Sequence, residues 1–291
     1  MLNNDLTRQI KRNFCYKPTD EQENAIVMLS DFLLTPESGA MFLLKGYAGT
    51  GKTSLVGAFV RTMAEIGFKY VLMAPTGRAA KVFSHHAGVT AYTIHKKIYR
   101  QQAYAEDSFS LNANLHKNTL FIVDEASMIS NMGYSGMGFG SGRLLDDLIQ
   151  YVYSGQGCRL ILVGDNAQLP PVGEDESPAL YTEMLHGYGH DVMECMLTEV
   201  VRQSDRAGIL YNATRLRMQI TEDDIYELPK FKIKGFPDIR VISGSELIET
   251  INSCYDNAGL DETIIICRSN KRANLYNKGI RAMPPDNRRH I

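Results

Sequence analysis

Residues 46–53, Gly-Tyr-Ala-Gly-Thr-Gly-Lys-Thr, have the types and the spacing that bind a chain of phosphates. They fit the pattern G-x-x-x-x-G-K-[ST], in which glycines let backbone N–H groups face phosphate oxygens. Lys52 is expected to reach the β- and γ-phosphates, and Thr53 to offer its hydroxyl to Mg²⁺. A glycine-rich turn that binds nothing is disfavoured, because a strand pattern precedes the loop and a helix pattern follows it. The stretch therefore predicts a nucleoside triphosphate site.

Two acidic residues end a second apolar strand pattern. Asp124 and Glu125 follow residues 120–123, Leu-Phe-Ile-Val. Because the carboxyl ends of parallel strands share one edge of a sheet, both acids are expected near the phosphate loop. Asp124 is predicted to hold Mg²⁺ through water, and Glu125 to orient or deprotonate an attacking water. A pair of plain surface acids is the weaker interpretation once a phosphate loop precedes them.

Two glutamines have side chains suited to the same ligand. Gln168 follows the apolar run at residues 158–165 and could sense a γ-phosphate from the same edge. Gln22 stands three residues after Thr19, the spacing of a capping box at a helix start. An amide also has the donor and the acceptor needed to read an adenine edge, so both interpretations of Gln22 stay open.

Polar residues also cluster in the turns that follow other strand patterns. These are Pro75, Thr76 and Arg78 after one strand, and Thr93 and His95 shortly afterwards. Hydroxyls, a histidine and basic side chains at one sheet edge could track a phosphate backbone. Ordinary loop polarity explains any single one of them equally well.

Length and composition favour two domains. A chain of 291 residues is long enough for each domain to bury its own core. The composition, 44% hydrophobic and 22% charged with a formal net charge of -2, is ordinary for a globular protein. A polyanion partner would therefore have to meet a local basic patch.

Membrane, zinc and disulfide classes are disfavoured. No apolar run approaches the ~20 residues that span a bilayer, and the first residues lack the apolar core of a signal peptide. The five cysteines are scattered without a CxxC pair, and the seven histidines show no metal-ligand spacing. We expect a cytoplasmic protein with no membrane association.

The remaining pattern alternates strands and helices, which predicts an α/β fold with a parallel sheet. Residues 99–117 are polar and weakly periodic, which indicates either a loop or a small inserted hairpin. Five glycines within residues 130–142 predict a mobile loop or a plain connector. Residues 240–242 and 263–267 have strand composition, and a helix pattern follows the second.

Together these segments resemble the superfamily 1B DNA helicases of the RecD-like and Dda-like group, from about Thr19 to Arg281. Gly-Asp-Asn-Ala-Gln-Leu-Pro-Pro-Val at residues 164–172 is the most specific match. The segments similar to the family's motifs, in chain order, are residues 19–22, 46–53, 74–80, 93–95, 124–128, 164–172 and 197–203.

The resemblance implies a RecA-like P-loop NTPase with helices on both faces of the sheet, and part of a second RecA-like domain. The first domain would span residues 1–195, with the insertion serving as a wedge hairpin, and the second would begin at 196 and run to 291. We do not find motifs V and VI of the family, so we expect this second domain to be incomplete. The family also implies a γ-phosphate contact from Arg202, which alone would be taken for a surface salt bridge.

The expected activity is an ATP-dependent DNA helicase or translocase that moves 5′ to 3′ on single-stranded DNA as a monomer, with ATP and Mg²⁺ as cofactors. The alternatives are a P-loop ATPase of another class, such as an AAA-type remodeller of proteins, and a truncated nucleotide- or DNA-binding module. The residues expected to bind the nucleotide are Gln22, Gly46, Gly49, Thr50, Gly51, Lys52, Thr53 and Ser54. Catalysis is assigned to Lys52, Glu125, Gln168 and Arg202, the metal to Thr53 and Asp124, and the nucleic acid to Pro75, Thr76, Arg78, Thr93, His95 and Asn270.

Overall fold

A computed structural model describes residues 2–35, 39–103, 106–133, 139–200, 207–221, 228–259 and 262–281. The chain forms two compact units, Met1–Gln203 and Ser204–Ile291. In the described ranges, no helix is both long and apolar enough to cross a membrane.

Ten helices and eight strands are present in the described residues. The strands are β1 (Met41–Gly46), β2 (Lys69–Ala74), β3 (Ala91–Thr93), β4 (Tyr99–Ala103), β5 (Glu106–Leu111), β6 (Thr119–Val123), β7 (Arg159–Gly164) and β8 (Val192–Leu197). The helices are α1 (Leu2–Asn13), α2 (Asp20–Leu34), α3 (Lys52–Glu65), α4 (Gly77–Ala87), α5 (Ile94–Ile98), α6 (Leu144–Ser154), α7 (Thr182–His186), α8 (Gly208–Thr221), α9 (Leu247–Ala258) and α10 (Asn270–Arg281). Two 3₁₀ turns span Ala126–Met128 and Pro178–Leu180.

The first unit is built on a six-stranded parallel sheet in the order β3-β2-β6-β7-β1-β8. Strand β7 lies between β1 and β6, with Lys45 opposite Gly164 and Val123 opposite Leu162. The loops that follow these three strands are therefore neighbours at the carboxyl edge. Strand β8 pairs with β1 and belongs to this sheet. The predicted α/β fold is confirmed.

Both faces of the sheet are buried, as expected for parallel strands covered by crossover helices. Phe42 and Leu44 of β1 face a core completed by α1, α2, α3 and α4. Met41 and Leu43 of the same strand face the other core, which α5, α6 and α7 complete. This alternation along β1 confirms the prediction of helices on both faces.

The insertion is an antiparallel hairpin, β4–β5, which decides between the two alternatives predicted for it. Its base is anchored to the glycine-rich segment, because the rings of Phe109 and Phe139 stack with centroids 4.4 Å apart. The Gly140 N–H also donates to the Phe109 carbonyl over 2.7 Å. The mobile loop predicted at residues 130–142 falls in part on residues 134–138, which lie outside the described ranges.

The second unit contains α8, α9 and α10 in its described residues. The strands predicted at residues 240–242 and 263–267 are wrong, since neither segment belongs to a strand. Their apolar side chains are not covered by a sheet: Val241 is 69% exposed, Ile264 63% and Ile266 88%. An extended apolar segment becomes a strand only when a neighbour pairs with its backbone, and the described residues supply no such neighbour.

Candidate nucleotide-binding site

The phosphate loop joins β1 to α3 as predicted. Gly51 is the N-cap of α3, with a left-handed φ of 83°, and Lys52 is the first helical residue. The Thr50 hydroxyl turns away from the loop surface and donates to the Tyr47 carbonyl over 2.8 Å. The N-terminus of α3 thus opens toward the loop, where its unpaired N–H groups and dipole favour an anion.

Lys52 lies over the phosphate loop. Its Nζ donates to the carbonyls of Gly46, over 2.6 Å, and Tyr47, over 2.9 Å. These bonds hold a cationic side chain at the loop, where a phosphate would be neutralised.

Gln22 joins α2 to the loop. Its Oε1 accepts from the Thr19 N–H over 3.0 Å, which completes the predicted capping box, and its Nε2 donates to the Thr50 carbonyl over 2.8 Å. The side chain is buried and lines the cavity beside the loop. Gln22 therefore connects α2 to the phosphate loop through hydrogen bonds. That its remaining N–H reads an adenine edge stays a prediction.

Asp124 and Glu125 turn sharply at the end of β6. Glu125 has a left-handed backbone (φ 57°, ψ 38°), and its N–H donates to Asp124 Oδ1 over 2.9 Å. Burial and, to a smaller extent, the neighbouring Glu125 charge raise the pKa of Asp124 to about 6. The hydrogen bond from the Glu125 N–H and the Lys52 charge lower this pKa, but their effect is smaller.

The chemistry of this carboxylate pair suits a divalent cation, because a buried carboxylate beside another acid is costly without a balancing positive charge. Thr53, in the first turn of α3, lines the same cavity and adds a hydroxyl oxygen. Within the described ranges, no group of three or more His, Cys, Asp and Glu could hold a metal ion. Magnesium, however, commonly uses one or two protein oxygens together with water and phosphate.

Gln168 reaches the same cavity from the turn after β7. Asp165 shapes this turn, since its Oδ1 accepts from the Ala167 N–H over 2.9 Å and its carbonyl accepts from the Gln168 N–H over 3.2 Å. Ser127, which follows β6, donates from its hydroxyl to Gln168 Oε1 over 2.9 Å. Sequence reasoning gave Ser127 no role, because its contact with Gln168 depends on the order of the strands.

These elements enclose a cavity of about 370 Å³. The expected residues that line it are Gln22, Gly49, Gly51, Lys52, Thr53, Ser54, Asp124, Glu125 and Gln168. Gly46, the last residue of β1, and Thr50, which is buried within the loop, do not line the cavity. Four further residues also line the cavity and carried no sequence signal: Phe14, Tyr16, Lys17 and His86.

The residues expected to contact nucleic acid lie at the same sheet edge, on the side away from the phosphate loop. Pro75, Thr76 and Arg78 follow β2, Thr93 is the last residue of β3, and His95 lies in the first turn of α5. Both threonines cap helices: Thr76 accepts the N–H of a residue in the first turn of α4, and Thr93 does the same in α5, each over 3.2 Å. Arg78 is exposed.

His95 is half-buried at the foot of the hairpin. Its ring lies 5.7 Å from that of Tyr99 and 5.3 Å from that of Phe139. Burial lowers the pKa of His95 from its usual value, which favours the neutral ring.

The last two expected residues lie elsewhere. Arg202 is outside the described residues, and Asn270 is the exposed first residue of α10 in the second unit. The chain leading toward Arg202 is held at its start, because the Glu21 carboxylate accepts the N–H groups of Thr198, over 2.6 Å, and Glu199, over 2.9 Å. Burial would raise the pKa of Glu21, but the hydrogen bonds from Thr198 and Glu199 outweigh it and lower the pKa.

Comparisons with known proteins match this chain to ATP-dependent proteins of related sequence. The sequence model of the AAA domain family matches residues 19–228. The ATP-dependent RecD2 DNA helicase of Deinococcus radiodurans is 33% identical over 133 residues, which are 45% of this chain and 16% of that protein. The ATP-dependent DNA helicase dda of Enterobacteria phage T4 is 29% identical over 205 residues, which are 68% of this chain and 42% of that protein.

A solved structure, that of Pif1 helicase from Bacteroides in complex with ADP-AlF3 and ssDNA, is 21% identical, with a TM-score of 0.43 over 86% of this chain and 58% of that one. A TM-score of 0.43 is too low to assign the fold, so the fold assignment depends on the sheet topology and the loop positions described above. The chain spans less than half the length of the two curated helicases it matches. It belongs to the AAA domain family, and its recognition from its motifs as a superfamily 1B helicase-type P-loop protein is confirmed.

Proposed function

We propose that this chain binds ATP with Mg²⁺ and hydrolyses it, as the motor part of a helicase that moves 5′ to 3′ on single-stranded DNA. The observation that carries the proposal is the convergence of three loops on one cavity. The phosphate loop after β1, Asp124 and Glu125 after β6, and Gln168 after β7 come from adjacent parallel strands and line the same space.

Each side chain has a distinct task in this proposal. Lys52 and the N–H groups at the start of α3 bind the β- and γ-phosphates. Thr53 and Asp124 would hold Mg²⁺, which neutralises phosphate charge when bound. Glu125 takes a proton from the attacking water, or orients that water. Gln168 meets the γ-phosphate, and Arg202 is proposed to add a further cation there.

Single-stranded DNA is proposed to cross the sheet edge at Pro75, Thr76, Arg78, Thr93 and His95. Asn270, in the second unit, is proposed separately as a contact with nucleic acid. The capping role of the two threonines is compatible with this. Each hydroxyl oxygen accepts a helix N–H, which leaves its own O–H free to donate to a phosphate oxygen. The names of the two curated relatives, both ATP-dependent DNA helicases, support DNA as the partner.

We propose that the first unit, Met1–Gln203, is a RecA-like domain and that the second unit, Ser204–Ile291, belongs to a second one. Strand β8, at Val192–Leu197, pairs with β1 in the sheet of the first unit, so this boundary falls after β8 rather than at residue 195. The β4–β5 hairpin is proposed as the wedge that separates duplex strands. Its anchorage supports this role, because the stacked Phe109 and Phe139 rings join its base to the glycine-rich segment.

The test is ATP turnover by the 291-residue chain, with and without single-stranded DNA at low salt. We expect turnover that DNA stimulates, its loss in Lys52→Ala, and in Glu125→Gln a loss of turnover with nucleotide binding retained. Lys11→Ala is a matched control, since that lysine pairs with Glu23 on the surface and lies outside the cavity.

Turnover no higher than that of Lys52→Ala would refute hydrolysis by this chain and leave a nucleotide-binding module. Turnover that DNA does not stimulate would refute the DNA-coupled part of the proposal. The two results separate ATP chemistry from the nucleic-acid assignment.

A further inference from the structure

Ser127 and Gln168 form a side-chain contact between two loops of the nucleotide site. The Ser127 hydroxyl donates to Gln168 Oε1 over 2.9 Å, across 41 residues of sequence. The serine is only 1% exposed, whereas Gln168 lies at the surface of the cavity. An exposed glutamine side chain ordinarily samples several rotamers. The hydrogen bond from the buried Ser127 hydroxyl to the amide oxygen therefore restricts the rotamers of Gln168.

The serine is itself held rigidly. It is the middle residue of the 3₁₀ turn Ala126–Met128, whose N-cap is Glu125. The Met128 N–H donates to the Glu125 carbonyl over 3.1 Å, and the Ile129 N–H donates to the Ala126 carbonyl over 3.0 Å. A displacement of the serine therefore moves the turn that carries Glu125.

The hydrogen bond from Ser127 fixes which end of the Gln168 amide faces the cavity. A glutamine side chain has one oxygen, which accepts, and one NH₂ group, which donates. Because Ser127 occupies the oxygen, the NH₂ end is left for the cavity. A phosphate oxygen accepts hydrogen bonds, so the NH₂ end attracts it and the opposite amide orientation would repel it.

We propose that Ser127 is a positioning residue that fixes the Gln168 amide with its NH₂ group toward a γ-phosphate, and that links this contact to the turn carrying Glu125. The inference depends on the proposed function, because it assigns Gln168 to the terminal phosphate of a bound nucleoside triphosphate. Its consequence is selectivity for the triphosphate over the diphosphate, measurable without turnover.

The experiment measures the equilibrium affinities of fluorescent ADP and of a fluorescent non-hydrolysable ATP analogue, and compares their ratio among variants of the full chain. Ser127→Ala is expected to lower the preference for the triphosphate by about three- to tenfold, the effect of one hydrogen bond. Ser127→Thr, which keeps the hydroxyl, is expected to keep the preference. In the Gln168→Ala background, Ser127→Ala is expected to add no further change.

Ser177→Ala is the matched control. Its hydroxyl donates to the Ala126 carbonyl over 3.4 Å, so it touches the same turn without touching Gln168. We expect it to leave the ratio unchanged.

An unchanged ratio in Ser127→Ala, or an equal change with and without Gln168, would overturn the positioning role. If nucleotides bind but no variant hydrolyses ATP, the proposed hydrolysis fails while the ratio still decides the role of Ser127. If neither nucleotide binds, both proposals are overturned.

Discussion

The substitution Gly51→Ala tests how the phosphate loop is packed against α2. Gly51 has a φ of 83°, and a Cβ placed there would lie 2.6 Å from Gln22 Nε2. Gln22 has little room to give way, because it is 3% exposed and its Nε2 donates to the Thr50 carbonyl over 2.8 Å. The new methyl group must therefore displace the amide and break that hydrogen bond.

The expected cost has two parts. A left-handed backbone costs a non-glycine residue about 1–2 kcal/mol, and the loss of a buried hydrogen bond adds about 1–2 kcal/mol. The sum, about 2–4 kcal/mol, corresponds to a fall of roughly 5–15 °C in the melting temperature of a unit of about 200 residues. Gly67→Ala separates the two parts, since Gly67 has a φ of 69° with no atom within 4 Å of the added Cβ. It should lose only about 1–2 kcal/mol.

Thermal and urea unfolding followed by circular dichroism measure these losses. Combining Gly51→Ala with Gln22→Ala should be less costly than the sum of the two single changes, because the shortened side chain no longer meets the methyl group. Equal losses for Gly51→Ala and Gly67→Ala, or strict additivity in the double variant, would refute the argument that Gln22 packs against the loop.

Three further changes test other parts of the first unit. Arg159→Lys should cost about 2–4 kcal/mol in urea unfolding, because the guanidinium donates to three carbonyls at the end of α2 and an ammonium cannot reach them all. Tyr99→Phe should cost about 1–3 kcal/mol and speed hydrogen exchange in the hairpin, since it removes the 2.6 Å hydrogen bond to the buried Asp147. Acidification from pH about 7.5 to about 5.5 should be less unfavourable to the stability of His95→Gln than to that of the wild type. Burial lowers the folded-state pKa of His95, so the unfolded chain binds this proton first and the His95 contribution to stability is lost as the pH falls below 6.5. Asp124, whose folded-state pKa is raised to about 6, acts in the opposite direction in both proteins, so the difference between their urea-unfolding free energies at the two pH values isolates His95.

Local patterns in the sequence were sufficient for the parts of the site that one segment builds alone. The phosphate loop needs a strand, a glycine-rich turn and a helix start, and all three are contiguous. The same holds for the capping box at Thr19 and Gln22, where both hydrogen bonds join residues three apart. In each case the physical constraint acts over a few residues, so composition and spacing reveal it.

Patterns that need a distant partner were less informative. Residues 263–267 have the composition of a buried strand, yet a strand also needs a paired neighbour, and composition carries no information about one. The cavity shows the opposite case: Tyr16 and His86 line it although their local sequence is unremarkable. Both reach it because α1 and α4 pack on α3, which is a property of the tertiary fold.

The contact between Ser127 and Gln168 depends on one further fact that local patterns do not contain. Both residues follow apolar strands, and any parallel α/β sheet would place them at the same edge. Only the strand order makes β6 and β7 immediate neighbours, with Val123 opposite Leu162. Neighbouring parallel strands lie ~5 Å apart, so side chains from the two following turns can meet directly, whereas one intervening strand would separate them by ~10 Å. If this contact couples the two residues, removing either side chain removes the coupling. The double-mutant cycle of Ser127→Ala and Gln168→Ala should therefore show a non-zero interaction energy for nucleotide preference.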